Sequence, residues 1–305
     1  MNILITGGTG FIGSALVRTL ASQGHSIVLL TRGPSGIFSS GGTTIVRRSW
    51  DPLRPGRWMT ELGHCDVVIN LTGKNLFEQR WNARVKQQIL ESRVTPLQHI
   101  AEAIGSADRK PSLLISASAV GYYGDRGTEP LTEESAGADD FLGDVVRQWE
   151  GAAQLSQQFG VRVATPRIGL VLGKKGGMIG TMLLPFQLFI GGPVGSGDQF
   201  LPWVHMEDVV RGLLLPMEKP DLRGAYNLVS PHPVTMHEFA RQFGAVLHRP
   251  SWIPVPGFAL SLLYGEGAKA ILAGQKVVPA ALQSSGFEFR FPHLGPALAD
   301  LLASR

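Results

Sequence analysis

A single cysteine stands among 305 residues, so neither an internal disulfide nor a cysteine-built zinc site can form. Cys65 reads as a small residue at the start of a buried strand. Charge is scarce as well: Asp, Glu, Lys and Arg make up 17% of the chain, below the ~25% of an average globular protein. The net charge is +4 and no block of five or six Lys or Arg occurs. That balance argues against nucleic acid and suits a small anionic ligand. Apolar runs are broken by Gly, Pro or charge before they reach the ~18 residues of a membrane span. Met1 leads directly into an apolar run without a secretory leader, so a soluble cytoplasmic protein with no membrane partner is expected. The eight histidines show no His-x-x-x-His spacing, and no metal site is expected.

What is present has an alternating rhythm. Hydrophobic residues make up 44% of the chain, which argues against disorder. Short β-branched runs at Asn2–Thr6, Ser26–Thr31, Thr44–Arg47, Asp66–Leu71, Ser112–Ser116 and Arg162–Pro166 predict strands. Segments of helical period fill Phe11–Gln23, Trp81–Ile104 and Asp139–Phe159 between them. Strands alternating with crossover helices predict an α/β fold with a doubly wound parallel sheet, covered on both faces. Ligands of such sheets sit beyond the carboxyl ends of the strands. After Pro166 glycine-rich segments break the rhythm, and helices are expected at Thr235–Leu247, with an apolar stripe of Phe239, Phe243 and Val246, and at Phe258–Ala273. The expected division is a dinucleotide-binding domain over residues 1–230, with parts of 167–205 lining a cleft. A smaller, mainly helical lobe is expected over residues 231–305.

Between the first strand and first helix lies Thr6-Gly-Gly-Thr-Gly-Phe-Ile-Gly13, a Gly-x-x-Gly-x-x-Gly pattern in the strand–turn–helix context that gives it meaning. Gly7 permits the tight turn, Gly10 lets backbone approach a pyrophosphate, and Gly13 lets the helix pack closely on the sheet. The phosphates of a dinucleotide would then meet free N–H groups at the positive end of the helix. Together these features predict a Rossmann domain, with Thr9, Phe11 and Ile12 completing the cofactor contacts. The second strand runs into Arg32, and no acidic residue occurs from there to Trp50. Asp or Glu here would favour NAD, whereas Arg accommodates the 2′-phosphate of NADP; a solvated strand-end charge is the alternative. Asp51 is a candidate for the adenine edge or a plain turn residue. Asn70-Leu-Thr-Gly73 closes the fourth strand, with Leu71 and Gly73 expected beside a ribose and Ser116 at the end of the fifth.

With the loop and the later motifs in view, the chain resembles the extended short-chain dehydrogenase/reductases. Within them it resembles the atypical YfcH-type "epimerase family". The resemblance runs over nearly the whole chain. It rests on Thr6–Gly13, Asn70–Gly73, Arg80-Trp81, Ser92-Arg93, Ser116–Gly124, Asp140-Phe-Leu142, Trp149-Glu150, Arg167–Gly173, Gly176-Gly177, Gly191–Gly197, Trp203–Asp208 and Pro254–Pro292. It implies the fold and the NADP(H) site and carries little about the substrate.

In active relatives a Ser orients the substrate oxygen and a Tyr-x-x-x-Lys transfers the proton. Ser116 and Ser118 suit the first role. No Tyr-x-x-x-Lys occurs anywhere, and the segment Asp139–Glu150 offers neither residue. One reading keeps an enzyme, with Tyr122 or Tyr123 supplying the phenol and Lys86 or Arg147 a supporting cation. It would be an NADP(H)-dependent carbonyl oxidoreductase or nucleotide-sugar epimerase-like enzyme acting on a small-molecule substrate, with Ser118 and Tyr122 catalytic. The other reading is a non-catalytic NADP(H) sensor or scaffold. Glu150 and Asp144 read as caps or surface charges, Asp208 as a helix cap, and His205 as either cleft-facing or packed. Lys174-Lys175 is either a phosphate clamp or a solvated pair. Trp58, Trp81 and Trp252 read as packing residues. Phe258–Leu263 reads as core or dimer surface, which keeps a homodimer open.

Overall fold

The computed structural model describes residues 1–40, 42–174 and 176–303. Its elements begin β1 (Asn2–Thr6), α1 (Phe11–Ser22), β2 (Ser26–Thr31), β3 (Gly36–Ser40), β4 (Thr43–Ser49), β5 (Val67–Asn70), α2 (Ala83–Ser106), β6 (Leu113–Ser116), β7 (Ser118–Ala119) and β8 (Pro130–Leu131). There follow α3 (Phe141–Gln154), β9 (Arg162–Ile168), β10 (Leu170–Leu172), α4 (Gly177–Gln187), β11 (Phe200–Leu201), β12 (Trp203–His205), α5 (Met206–Glu218) and β13 (Gly224–Leu228). The chain ends with β14 (Val234–Thr235), α6 (Met236–Leu247), α7 (Gly257–Tyr264), α8 (Ala268–Leu272), β15 (Lys276–Val277), α9 (Ala280–Ser284) and α10 (Leu294–Leu302).

The main sheet has the order β13-β9-β6-β5-β1-β2-β4-β3, with β7 alongside β9. All its pairings are parallel except β3 with β4. This is the doubly wound Rossmann architecture, the chain running outward from β1 in both directions. β1, β5 and β6 are buried almost throughout, as continuous apolar strands covered on both faces must be. α1 buries Gly13, Leu16, Val17, Leu20 and Ala21, the i, i+3, i+4, i+7, i+8 stripe of an amphipathic helix. α1 packs with α5, and α2 packs with α3. Both edge strands of the main sheet escape the sequence reading. β3 is an antiparallel edge strand, and β13, written Gly-Ala-Tyr-Asn-Leu, is too short and polar to announce itself. The expected helix Phe258–Ala273 is instead divided into α7 and α8 by a tight turn at Gly265–Gly267.

A second apolar cluster joins Leu172, Ile179, Phe186 and Trp203 to Phe239, Phe243, Leu298 and Leu301. It is discontinuous in sequence: α4 and β12 contribute to it along with the mainly helical C-terminal portion. α6 begins with a side-chain N-cap, the Thr235 hydroxyl accepting from Glu238 N at 3.2 Å. Short ladders stitch the portions together: β10 with β12, β11 with β14, and β8 with β15. Asp208, fully buried in the first turn of α5, accepts from the backbone of Arg290 and Phe291 at 2.7 and 2.9 Å. Capping of α5 falls instead to His205, whose Nδ1 accepts from Glu207 N; Asp208 anchors the C-terminal segment. Trp58 and Trp81 are buried as expected, but Trp252 is not.

Candidate functional site

The carboxyl ends of β1, β5 and β6 meet the amino end of α1. Gly7 has φ +69°, and a Cβ there would lie 2.6 Å from the Leu71 carbonyl oxygen. A Cβ on Gly13 would lie 2.3 Å from the Gly7 oxygen. Backbone on both sides leaves no side chain an escape, so the loop is closed as tightly as glycine allows. α1 starts just after Gly10, which offers no side-chain cap, and has no acid in its first turn. Its first N–H groups therefore point into the cleft without an intrahelical partner. Thr9 and Gly10 are exposed at the tip, and Phe11 and Ile12 half-buried behind it. The cradle fits a pyrophosphate in its exposed Thr9–Gly10 tip and in its positive field.

Beneath it runs a buried chain of polar groups. The Thr72 hydroxyl donates to Thr6 Oγ1 at 2.8 Å, Thr6 donates to Asn70 Oδ1 at 2.6 Å, and Asn70 Nδ2 donates to Ser116 Oγ at 3.3 Å. Strand register explains it: Thr6, Asn70 and Ser116 sit side by side on adjacent strands. Ser116 is thus part of the floor, fully buried. Gly73 is exposed at the edge, and a Cβ on it would stand 3.3 Å from the Arg93 guanidinium. Burial lowers the pKa of that guanidinium to about 10. Arg32 is exposed directly after β2. Asp51, two residues beyond β4, accepts from Leu53 N at 3.0 Å as a turn residue.

The sequence reading misses the most ordered group in the cleft. Ser118 Oγ donates to Glu150 Oε1 at 2.6 Å. Arg167 holds the same carboxylate with Nε and Nη2 at 2.8 and 2.9 Å. The side chains of Arg167 and Glu150 are only 5% and 12% exposed, so Glu150 is neither a cap nor a surface charge. Arg167 Nη1 also donates to the Tyr123 hydroxyl at 3.0 Å, and that hydroxyl donates to Asn227 Oδ1 at 2.7 Å. Burial raises the Tyr123 pKa, with Arg167 and Asn227 opposing. Carboxylate and hydroxyl both favour a charged Arg167 and outweigh its desolvation. Its guanidinium carbon lies 3.5 Å from the centroid of the Tyr122 ring.

Neither cation expected from sequence approaches Tyr122. Lys86 pairs with Glu266 at 2.8 Å. Arg147 reaches the Ala138 carbonyl at 2.5 Å, near Asp139 and Asp144. Arg167 could have been found as the one charged residue inside a strand otherwise buried from Val163 to Ile168. α3 presents buried Val145, Val146 and Trp149 inward, with no Tyr or Lys.

Two further segments close the cleft. Gly173, Gly176 and Gly177 pack on the Phe11 ring, bringing the amino end of α4 against the glycine loop. Lys174 lies 3.9 Å from Asp300 of α10; Lys175 lies outside the described residues. His205 is a packed histidine, its ring tilted against Phe291 with centroids 3.9 Å apart. Burial lowers its pKa below 6.5. Surface hollows of about 320 and 470 Å³, beside Phe141 and beside His64, hold no residue of the glycine loop or the Ser118 network. Among the described residues, no cluster of His, Cys, Asp or Glu could hold a metal, and no helix is long and apolar enough to cross a membrane.

A doubly wound sheet, a glycine loop opening onto an uncapped helix and a Ser at the neighbouring strand end define a dinucleotide-binding protein of the short-chain dehydrogenase/reductase type. Residues 3–229 match the NAD dependent epimerase/dehydratase family, and the chain belongs to it. Residues 255–301 match a domain of unknown function (DUF1731). The chain is 38% identical to human epimerase family protein SDR39U1, covering 99% of this chain and 100% of that one. It is 39% identical to the epimerase family protein YfhF of Bacillus subtilis over 100% and 99%. The crystal structure of human SDR39U1 (isoform 2) with NADPH superposes with a TM-score of 0.88 at 37% identity, covering all of both chains. A UDP-glucuronic acid 4-epimerase of Bacillus cereus, 16% identical with a TM-score of 0.79 over 98% and 96%, shares the fold.

Proposed function

We propose that the chain is an NADP(H)-dependent oxidoreductase or epimerase-like enzyme. Its substrate is a small carbonyl or hydroxyl compound, nucleotide sugars included, taken into the cleft above Ser118. The observation that carries this reading is Arg167 stacked on Tyr122 and tied through Glu150 to Ser118. Gly7, Thr9, Gly10, Phe11, Ile12 and Gly13 would hold the pyrophosphate, Leu71, Gly73 and Ser116 the ribose and nicotinamide side, Asp51 the adenine edge and Arg32 the 2′-phosphate. NADPH in the human relative supports that choice. Residues 1–230 would form the cofactor-binding unit, with parts of 167–205 lining the cleft, and 231–305 the lobe that closes it. The cytoplasm is the setting this reading implies.

When bound, the nicotinamide supplies or accepts a hydride. The chain's own groups then handle the oxygen. Ser118 Oγ, which donates to Glu150 here, would turn its proton to the substrate oxygen, leaving the substrate's own hydroxyl proton for Tyr122. Tyr122 carries the proton, its ring held against the positive charge of Arg167 that replaces the usual Lys. The test is turnover of NADP and NADPH against a panel of alcohols, carbonyls and nucleotide sugars, by wild type, Ser118→Ala and Tyr122→Phe. The reading predicts at least one substrate and a fall of about 10²–10⁴-fold in kcat for Tyr122→Phe. No turnover with any compound, or full activity in both variants, would overturn it. The second reading, a non-catalytic NADP(H) sensor or scaffold, draws on α3, whose inward face lacks both Tyr and Lys. It predicts nucleotide binding without turnover.

A further inference from the structure

The segments on either side of the Ser118–Tyr122 centre meet at Phe200 and Lys276. On one side Ser118 pairs in register with Arg167. Just beyond, Leu170 N donates to Pro202 O at 2.7 Å, and a Cβ on Gly169 would lie 2.0 Å from that same oxygen. The run from Phe200 to Pro202 is thereby pressed against the strand that leads out of Arg167. On the other side, buried Gln275 ties this run to the loop after Tyr122 and Tyr123. Its N–H donates to Phe200 O at 3.1 Å and its Nε2 to Gly124 O at 2.8 Å. Gly274 adds a second tie, its N–H donating to Asp125 Oδ1 at 3.1 Å and its carbonyl accepting from Arg126 N at 3.0 Å. Strand alternation then sets where the lysine points. Val277 is fully buried against Val120 and Tyr123, so Lys276 projects from the opposite face of β15. It is half-buried, with its ammonium 5.2 Å from the centroid of the half-buried Phe200 ring.

A ring attracts an ammonium but cannot neutralise it, and among the described residues Lys276 has no carboxylate partner. Its neighbours are placed differently. Arg167 is matched by Glu150, and Arg126 is held along two edges by Glu129 at 2.9 and 2.7 Å. We propose that Lys276 holds the anionic group of the substrate, a single carboxylate or phosphate, while Ser118 and Tyr122 address an oxygen elsewhere on the same molecule. The number of cations sets the class. Residues 120–131, 196–205 and 273–278 contain two Lys or Arg, Arg126 and Lys276, and Arg126 is already neutralised. One ammonium matches one anionic group. The diphosphate of a nucleotide sugar would carry charge into the cleft that nothing on these segments compensates. The substrate is therefore a small hydroxy or oxo acid or a phosphate monoester, which narrows the range given above. The inference rests on the reading of Ser118 and Tyr122 as the reacting centre.

Pairs of compounds in which a hydroxyl replaces the anionic group test it on the full chain with NADP. They are lactate with propylene glycol, glycerol phosphate with glycerol and glucose phosphate with glucose, run beside UDP-glucose. Wild type is expected to favour a charged member over its neutral partner by about ten- to a hundredfold in kcat/KM, as a charge-assisted hydrogen bond does. Lys276→Met should erase that preference through KM, and Lys276→Arg should keep it. The carboxylate and phosphate pairs tell the two anions apart. A wild-type preference for the neutral members or for UDP-glucose, or a preference that survives Lys276→Met, overturns the inference and leaves the reaction standing. Silence of the whole panel overturns the reaction instead, and the anion site is then read without turnover. Lys276 in NADP-saturated wild type is labelled with an amine reagent and followed by peptide mass spectrometry. Inorganic phosphate or acetate should slow that labelling while exposed Lys110 reacts as before. Lys276 labelling that neither anion slows overturns the inference.

Discussion

Replacing Arg167 by Met removes the centre of the buried network while nearly filling its volume. Three donors disappear: two to Glu150 at 2.8 and 2.9 Å and one to the Tyr123 hydroxyl at 3.0 Å. Glu150 keeps only the hydrogen bond from Ser118 at 2.6 Å. Leaving one member of a buried pair without its partner costs about 3–5 kcal/mol. Both side chains are nearly inaccessible here, so solvent does little to soften that cost. The lost contact with Tyr122 adds about 0.5–2 kcal/mol. For a chain of this length each kcal/mol moves the midpoint by roughly 2 °C, so Arg167→Met should melt about 7–14 °C below wild type. Glu150→Met alone should also destabilise, because Arg167 is then buried unpaired. The double variant should recover, since an apolar pair of similar volume often substitutes for a buried ion pair at little cost. Thermal melts followed by circular dichroism give the full cycle. A loss under ~2 °C for Arg167→Met, or a double variant that equals the sum of the singles, would refute the buried, coupled network.

Two more expectations concern groups hidden from water. Burial holds the His205 imidazole below its ordinary 6.5, and Asp300, Glu207 and Asp208 pull it back only in part. As pH falls below 6.5 the unfolded chain therefore takes up this proton first. The contribution is whole above 6.5 and is lost as pH falls through the lower folded value. Melting midpoints from about pH 7.5 to about pH 5 should fall less steeply in His205→Gln than in wild type; equal slopes would remove His205 from the account. Burial, with Asp66 nearby, pushes the Cys65 thiol up to about 12. Reaction of the folded protein with a thiol reagent near neutral pH should accordingly be slow and should track global unfolding in denaturant. Stoichiometric labelling of the native chain within seconds would contradict that burial.

The sheet was legible because its strands are buried on both faces and write themselves as unbroken apolar runs. The six strands read from sequence are all present, with ends shifted by a few residues. β13 was not legible: Tyr226 and Asn227 are held by Gly212, Tyr123 and Val278 from remote parts of the chain. The glycine loop was readable because its constraints are local, each glycine answering to backbone within a few residues or to the next strand. Ser118 was readable for its place at a strand end. Its partner Glu150 was not, since a carboxylate on a helix looks the same whether it faces water or a guanidinium 17 positions later. Arg167 carried a weak signal, a charge inside an apolar strand. The exposed Trp252 contradicts its reading as a packing residue. Of the two readings of Phe258–Leu263, core or dimer surface, the exposed α7 removes only the first. Composition does not say which surface covers an apolar side chain.

On the proposed reading the loop from Gly7 to Gly13 binds NADP(H), with Arg32 on the 2′-phosphate. Titration of the protein with NADPH and with NADH, followed by energy transfer from its tryptophans, in wild type and Arg32→Ala, tests it most directly. A charge-assisted contact to phosphate is worth roughly 1.5–3 kcal/mol. NADPH should therefore bind the variant about ten- to a hundredfold more weakly, while NADH is little changed. Failure of wild type to bind either nucleotide, or equal weakening of both in Arg32→Ala, would contradict the account.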